Sequence, residues 1–252
     1  MNNIDTLLAR GGTHPQWHDI LTESLASVNA EYLAELTVEN QWLPGADKLL
    51  AAFRRDLQGV RYLLIGESPY PRRQSANGIA FYDAAVGRLW SDSGLSKAVN
   101  RATSMRNIIK TVLLAEQRLV ADTHGKISQQ AIAAIDKSDM IQTMPELFAN
   151  LQQAGFLMIN ATPVLHPQRK PAQEAVYWRG FLEQLLISLA ARSPRRITLL
   201  LWGKIAESLE AIPASTAYDK LVCEHPYNIS FIDNADMRRL FSRLRVLQRV
   251  EG

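Results

Sequence analysis

A single cysteine, Cys223, stands in a chain of 252 residues. No internal disulfide framework and no cysteine-based zinc site can be built from it, and a reducing, cytosolic setting is expected. No stretch approaches the run of about 18 apolar residues that a membrane helix needs. The opening MNNIDTLLARGGTHPQW has neither the basic start nor the apolar segment of a secretory signal. A basic tail is also missing. The net charge is +3, and the positive residues are scattered in pairs such as Arg72–Arg73, Arg195–Arg196 and Arg238–Arg239, a balance that permits nucleic-acid binding without demanding it. Neither a G-x-G-x-x-G nor a G-x-x-x-x-G-K-[ST] loop occurs, which argues against a phosphate-cradling nucleotide enzyme. No grouping of His, Asp and Glu has metal-ligand spacing along the chain, so no metal and no cofactor is expected. Repeats and low-complexity segments are absent as well.

What is there is ordinary globular material, 47% hydrophobic and 21% charged, arranged as alternating elements. Short continuous apolar runs at Tyr62–Ile65, Phe156–Ile159, Ile197–Trp202 and Lys220–Cys223 read as strands covered on both faces. Helical patterns lie between and after them: SMRNIIKTVLLAEQRL, MPELFANLQQAG with its glycine stop, AVYWRGFLEQLLISLAAR and MRRLFSRLRVLQ. The expected fold is α/β, a three-layer α/β/α domain spanning residues 1–252 around a central, mainly parallel four-stranded sheet. Residues 1–57 are expected to be helical and to pack on that core, and residues 121–140 read as an inserted loop with a helical turn.

Ligands of such sheets bind in the crevice beyond the carboxyl ends of the strands. The residues leaving those ends are Gly66-Glu67-Ser68-Pro69-Tyr70, Asn160-Ala161-Thr162-Pro163, Gly203-Lys204 and Glu224-His225-Pro226-Tyr227-Asn228-Ile229-Ser230. A serine, a tyrosine, an asparagine and a histidine would meet on one edge, which makes that edge a candidate site on topology alone.

In this order the edge motifs resemble the uracil-DNA glycosylase superfamily, most closely its family 1 enzymes. GESPYP at 66–71 resembles the family's water-activating Gly-Gln-Asp-Pro-Tyr-His. NGIAFYD at 77–83 resembles the segment of the base-stacking phenylalanine. MINATPV resembles the strand end of the base-reading asparagine, LLLWGKIAE a strand-to-helix signature, and EHPYNIS the His-Pro-Ser-Pro-Leu-Ser loop that enters DNA. WHDIL, TSMRNI and YWRGF extend the likeness from about Trp17 to the last helix.

The resemblance implies a protein that flips a base out of DNA, at a few kcal/mol of unstacking, and breaks its N-glycosidic bond. Asn160 would read the uracil edge with its paired donor and acceptor; a turn or strand-end cap is the structural alternative. Phe81 would stack on the base, or else be a core phenylalanine. Tyr70 would wall the pocket against a thymine methyl group, or else brace the Pro69–Pro71 corner. His225 would donate to the base O2, provided that its other ring nitrogen is held. Ile229 takes the place of the intercalating leucine, with Pro226 in the same loop. Ser230 and Ser104 match phosphate-contacting serines, although a helix N-cap accounts equally well for Ser104. Ala172 and Gln173 stand where the family has a further serine–histidine phosphate clamp, so DNA affinity is expected to be reduced. The other histidines, His14, His18, His124 and His166, are read as structural. DNA, single- or double-stranded, is the implied partner of a monomer that needs no membrane.

One departure matters for the chemistry. Where the family motif has an aspartate this chain has Ser68, which can hold a water but carries no charge at neutral pH. Loss of one preorganised group of this kind costs about 3–4 kcal/mol, or ~10²–10³ in rate. Three readings remain open: a non-standard glycosylase in which Glu67 or Asp83 supplies the negative charge, a glycosylase fold that binds damaged DNA without cutting it, and a protein-interaction module with a vestigial pocket. Catalysis is thus assigned to Ser68, His225 and Glu67.

Overall fold

The computed structural model describes residues 2–39, 41–121 and 127–249. In chain order the helices α1 (Asn3–Gly11), α2 (His18–Ala26), α3 (Ala30–Val38) and α4 (Ala46–Leu49) precede β1 (Tyr62–Gly66). Then come β2 (Trp90–Ser91), β3 (Gly94–Leu95), α5 (Lys97–Arg101), α6 (Thr103–Ala115), α7 (Gln129–Ala133) and α8 (Met144–Gln153). The chain continues through β4 (Phe156–Asn160), α9 (Pro171–Arg192), β5 (Thr198–Trp202), α10 (Ile205–Glu210), β6 (Asp219–Cys223) and α11 (Ala235–Ser242). The result is a four-stranded parallel sheet in the order β4-β1-β5-β6, flanked by helices in the three-layer α/β arrangement. None of the described helices is long and apolar enough to cross a membrane.

By the density of contacts the chain divides into two units, 1–83 with 155–221 and 84–154 with 222–252. The first holds β1, β4, β5 and the start of β6. Alternate residues of its strands, Leu63 and Ile65, Leu157 and Ile159, Leu199 and Leu201, join one buried cluster with residues of the N-terminal helices and α9, including Trp17, Leu21, Leu25, Trp178 and Leu185. The intervening residues Leu64, Met158, Leu200 and Trp202 are buried too. Burial on both faces explains why these three strands read as unbroken apolar runs. β6 departs from that expectation: Leu221 and Cys223 are partly covered and Asp219, Lys220 and Val222 are exposed, whereas β4, at the other end of the sheet order, is buried throughout.

Local signals start and stop the helices. Asn2 and Asn29 cap α1 and α3 by accepting from the N–H groups of Asp5 and Tyr32. Thr143 and Glu146 form a reciprocal capping box at α8, and Gly155 follows that helix with φ +98°, where a side chain would be strained.

In the second unit α6 packs against α11 and against the short 3-10 turn Ile229–Asp233. The two-stranded antiparallel β2–β3 ribbon was not foreseen, and α7 falls within the segment read as an inserted loop. The last helix ends at Ser242, earlier than its apolar pattern suggests, and the following residues pass through turns. Arg245 there adopts φ +50°, which a continuing right-handed helix cannot accommodate.

Candidate active site

Gly66 and Asn160 end two adjacent parallel strands and face each other in register. Pairing continues past them, with Ala161 N–H donating to Gly66 C=O at 2.8 Å and Thr162 N–H donating to Glu67 C=O at 3.0 Å. The two turns are thereby tied together. A Cβ on Gly66 would lie 2.8 Å from Asn160 Oδ1, 3.0 Å from Ala80 Cβ and 3.5 Å from Phe81 Cε2. This strand end has to be glycine because the asparagine amide and the phenylalanine ring close over it. Asn160 is 7% exposed.

Phe81 is not a core residue. It is partly exposed, its ring stands edge-on to Trp202 with centroids 5.1 Å apart, and its backbone sits at φ +63°. A bulky residue in the left-handed region is strained by about 1–3 kcal/mol and is held there by its surroundings. Part of that holding is visible. Ala80 N–H donates to Met158 C=O at 3.3 Å, and Tyr70 Oη–H donates to Phe81 C=O at 3.3 Å. Gly78, at φ +82°, lies so close to Lys48 that a Cβ would fall 1.7 Å from its carbonyl oxygen.

Tyr70 therefore connects the first turn to the segment that carries Phe81. Burial, and then the nearby Asp83 carboxylate, push its phenol up to about 12, with Arg72 opposing. It stays a neutral donor at physiological pH. Asp83 is 6% exposed and accepts from the Arg72 guanidinium at 3.0 Å. Ser68 is partly exposed on the turn, and Glu67 is exposed.

The second unit carries the histidine loop. Tyr227 N–H donates to His225 Nδ1 at 3.1 Å. An acceptor at Nδ1 places the proton of the neutral ring on Nε2, which is the tautomer a base-facing donor requires. Sequence reasoning missed what holds this loop. The buried Asn107 amide of α6 donates to Pro226 C=O at 2.8 Å and to Asn228 C=O at 3.3 Å. Its place within TSMRNI was the available signal. Pro226 is buried, Ser230 is exposed and Ile229 is 77% exposed. Ser104 is the second residue of α6, whose N-cap is Ala102, so the capping account of this serine is withdrawn.

The remaining residues singled out in the sequence have local roles. Ala172 and Gln173 lie in the first turn of α9, where Gln173 Oε1 accepts from Lys170 N–H at 3.0 Å. His14 precedes a 3-10 turn and accepts from Gln16 N–H, His18 lies beside Asp19, and His124 lies outside the described residues.

Tertiary folding also assembles a group that sequence spacing did not show. Glu35, Glu39 and His166 bring potential ligand atoms within 4.8 Å of one another. The hydrogen bonds there oppose a metal. Gln168 N–H donates to His166 Nδ1 at 3.2 Å, leaving Nε2 protonated and facing Glu39 at 3.0 Å, while Arg169 pairs with Glu35. These groups satisfy each other as a polar network.

No protein-family model matches the chain. The solved structure of UNG from Nitratifractor salsuginis superposes with a TM-score of 0.92 at 36% identity, covering 98% of this chain and 97% of that one. The chain belongs to the uracil-DNA glycosylase family. The uracil-DNA glycosylase of Tropheryma whipplei (strain Twist) is 24% identical over 233 residues, 91% of this chain and 86% of its own. That of Mycobacterium tuberculosis (strain ATCC 25618 / H37Rv) is 23% identical over 227 residues, covering 90% and 85%. The likeness to these uracil-DNA glycosylases thus runs through nearly the whole chain.

Proposed function

We propose that the protein excises uracil from DNA by hydrolysis, with a water-positioning serine, Ser68, where the family motif has aspartate. The observation that carries this reading is the closure of the Asn160 amide and the Phe81 ring over the side-chain-free Gly66. A buried amide with donor and acceptor side by side suits the uracil edge, and the partly exposed ring beside it offers a face for stacking. Tyr70, fixed to the Phe81 carbonyl, walls the pocket and excludes the thymine methyl group.

The bond that breaks joins the sugar C1′ to the base N1, and its electron pair leaves with the base. His225 donates from Nε2 to O2 as negative charge gathers there. Water held by Ser68 adds its oxygen to C1′, and its released proton ends on the departing base, giving uracil and an abasic site. The oxocarbenium-like sugar calls for nearby negative charge. Asp83 is the better carboxylate for this, since it is buried and its field already acts on Tyr70. Glu67 is exposed, and solvent screens it. Ile229, Ser230 and Ser104 complete the DNA-contacting set, and Pro226, buried and bound to the Asn107 amide, shapes the loop that carries the first two. The protein acts as a cytoplasmic monomer on DNA, without metal or cofactor.

The test is alkali-revealed strand cleavage of uracil-containing oligonucleotides at high enzyme concentration, comparing the wild type with Ser68→Asp and Asn160→Ala. Slow excision by the wild type, lost in Asn160→Ala and raised about 10²-fold or more in Ser68→Asp, is expected. Excision by Ser68→Asp alone would instead mark the natural protein as a non-cutting binder. Silence from every variant would overturn the uracil assignment.

A further inference from the structure

Asp83 and Arg72 form an ion pair of unequal halves. The carboxylate side chain is 8% exposed and the guanidinium side chain 59%. They meet through a single nitrogen, with Arg72 Nη2 donating to Asp83 Oδ2 at 3.0 Å. A guanidinium committed to a carboxylate commonly presents two parallel N–H groups to it. This one uses one nitrogen and otherwise stands largely in water. The pair borders the candidate pocket at Tyr70, whose hydroxyl donates to the Phe81 carbonyl. Burial raises the Tyr70 phenol, the Asp83 carboxylate raises it further and Arg72 opposes. Both charges are therefore felt at the pocket wall.

The backbone beneath the guanidinium is fixed. Arg72 C=O accepts from Ser75 N–H and from Ala76 N–H, both at 2.9 Å, while residues 71–74 are exposed. A long cationic side chain is thus carried into solvent from a rigid base, open to any anion that approaches. DNA brings many, about one phosphate charge per 1.7 Å of duplex axis. A phosphate offers a guanidinium the same forked geometry as a carboxylate, and the buried carboxylate cannot follow the arginine outward. On the glycosylase reading this exchange has a consequence for the chemistry. A carboxylate covered by its own counter-ion gives little field at C1′, whereas an uncovered one acts through a poorly screening interior.

We infer that Arg72 is a counter-ion released by the substrate: without DNA it neutralises Asp83, and on DNA it moves to a backbone phosphate and leaves the carboxylate charge to the reacting sugar. The inference rests on the glycosylase reading for the role of Asp83, but the exchange of partners is a binding property. Arg72 acts through Asp83 and does not touch the reacting atoms. The pairing protects the protein between encounters, because a buried charge stripped of its partner is strongly destabilising. Binding energy from the DNA backbone offsets that cost when the site is occupied.

The experiment compares wild type, Arg72→Gln, Arg72→Lys, Asp83→Asn and the double variant Arg72→Gln/Asp83→Asn, which buries no lone charge. Affinity is titrated across a salt series with a uracil oligonucleotide whose 2′-fluorine slows cleavage, and the chemical step is read by single turnover at saturating unmodified DNA. Arg72→Gln should bind more weakly, with a salt slope smaller by about one, and Arg72→Lys should restore the slope. Asp83→Asn should tighten binding severalfold where Arg72 is present, since no pair has then to be broken, and much less in the double variant. At saturation Arg72→Gln should excise as fast as wild type, unlike Asp83→Asn. A salt slope unchanged in Arg72→Gln, or equal tightening by Asp83→Asn with and without Arg72, would overturn the proposal. So would excision at saturation that falls in Arg72→Gln as far as in Asp83→Asn, because the arginine would then have to hold the carboxylate during the reaction. Absence of excision by wild type would count against the glycosylase reading alone, since affinity and salt slope are read without it.

Discussion

Gly66 and Asn160 are register partners at the ends of two parallel strands, and the asparagine Oδ1 occupies space within 2.8 Å of where a glycine Cβ would be. No ordinary contact is that short, and the other close neighbour, Ala80 Cβ at 3.0 Å, leaves little room to move aside. Gly66→Ala should therefore displace the Asn160 amide. A displacement of about 1 Å at a reacting centre costs on the order of 10² in rate. Single-turnover excision should fall by about that factor while the far-ultraviolet circular dichroism stays unchanged. Unchanged excision would show that Asn160 does not have to hold this position.

Asp83 and Glu67 can be separated by neutral substitutions. Asp83→Asn should lower excision by about 10²-fold or more, the scale of losing one preorganised electrostatic group, and Glu67→Gln should change it only a few-fold. The reverse ranking would transfer the role to Glu67. Rates compared at two salt concentrations would sharpen the distinction, because a buried charge is screened less than an exposed one.

Tyr70 predicts a pH effect. A free tyrosine titrates near ~10, whereas this phenol is pushed up to about 12. Below pH ~10 both folded and unfolded chains hold the proton and the contribution of the neutral buried phenol is fully present. Between ~10 and about 12 the unfolded chain releases its proton first, so stability falls as pH rises. Denaturant unfolding across that window should show a shallower decline for Tyr70→Phe than for wild type. Parallel curves would contradict the assignment.

Asn107 should act on the histidine loop without touching DNA. Asn107→Ala leaves the Pro226 and Asn228 carbonyls without their amide donor, at a cost of about 1–3 kcal/mol. Hydrogen exchange should rise at residues 226–231, and DNA affinity should fall together with it. A loop that exchanges as slowly in the variant would show that packing alone holds it.

Much of this was legible in the chain itself. Three sheet strands stood out because both of their faces are buried, which leaves an uninterrupted apolar run. The fourth was found by the same pattern although its side chains are largely exposed, so its lack of cover was hidden. The β2–β3 ribbon has two residues per strand, too few for any period to register. Asn107 lay within the TSMRNI motif, but residue type alone did not show that its amide reaches carbonyls about 120 residues away. The apolar pattern of the last helix continued past Ser242, where the backbone turns away.

By itself the sequence determined the strand-and-helix alternation, the order of the edge motifs and the serine at position 68, because these depend on residue type and short spacing. Only the tertiary structure decided that Gly66 has no room for a side chain, that Phe81 is held at a positive φ, that His225 carries its proton on Nε2, and that Glu35, Glu39 and His166 form a satisfied network. Each of these depends on atoms brought to within a few ångströms by the backbone path. Hydrogen-bond direction and steric exclusion act only at that range, and residue identity alone does not contain them.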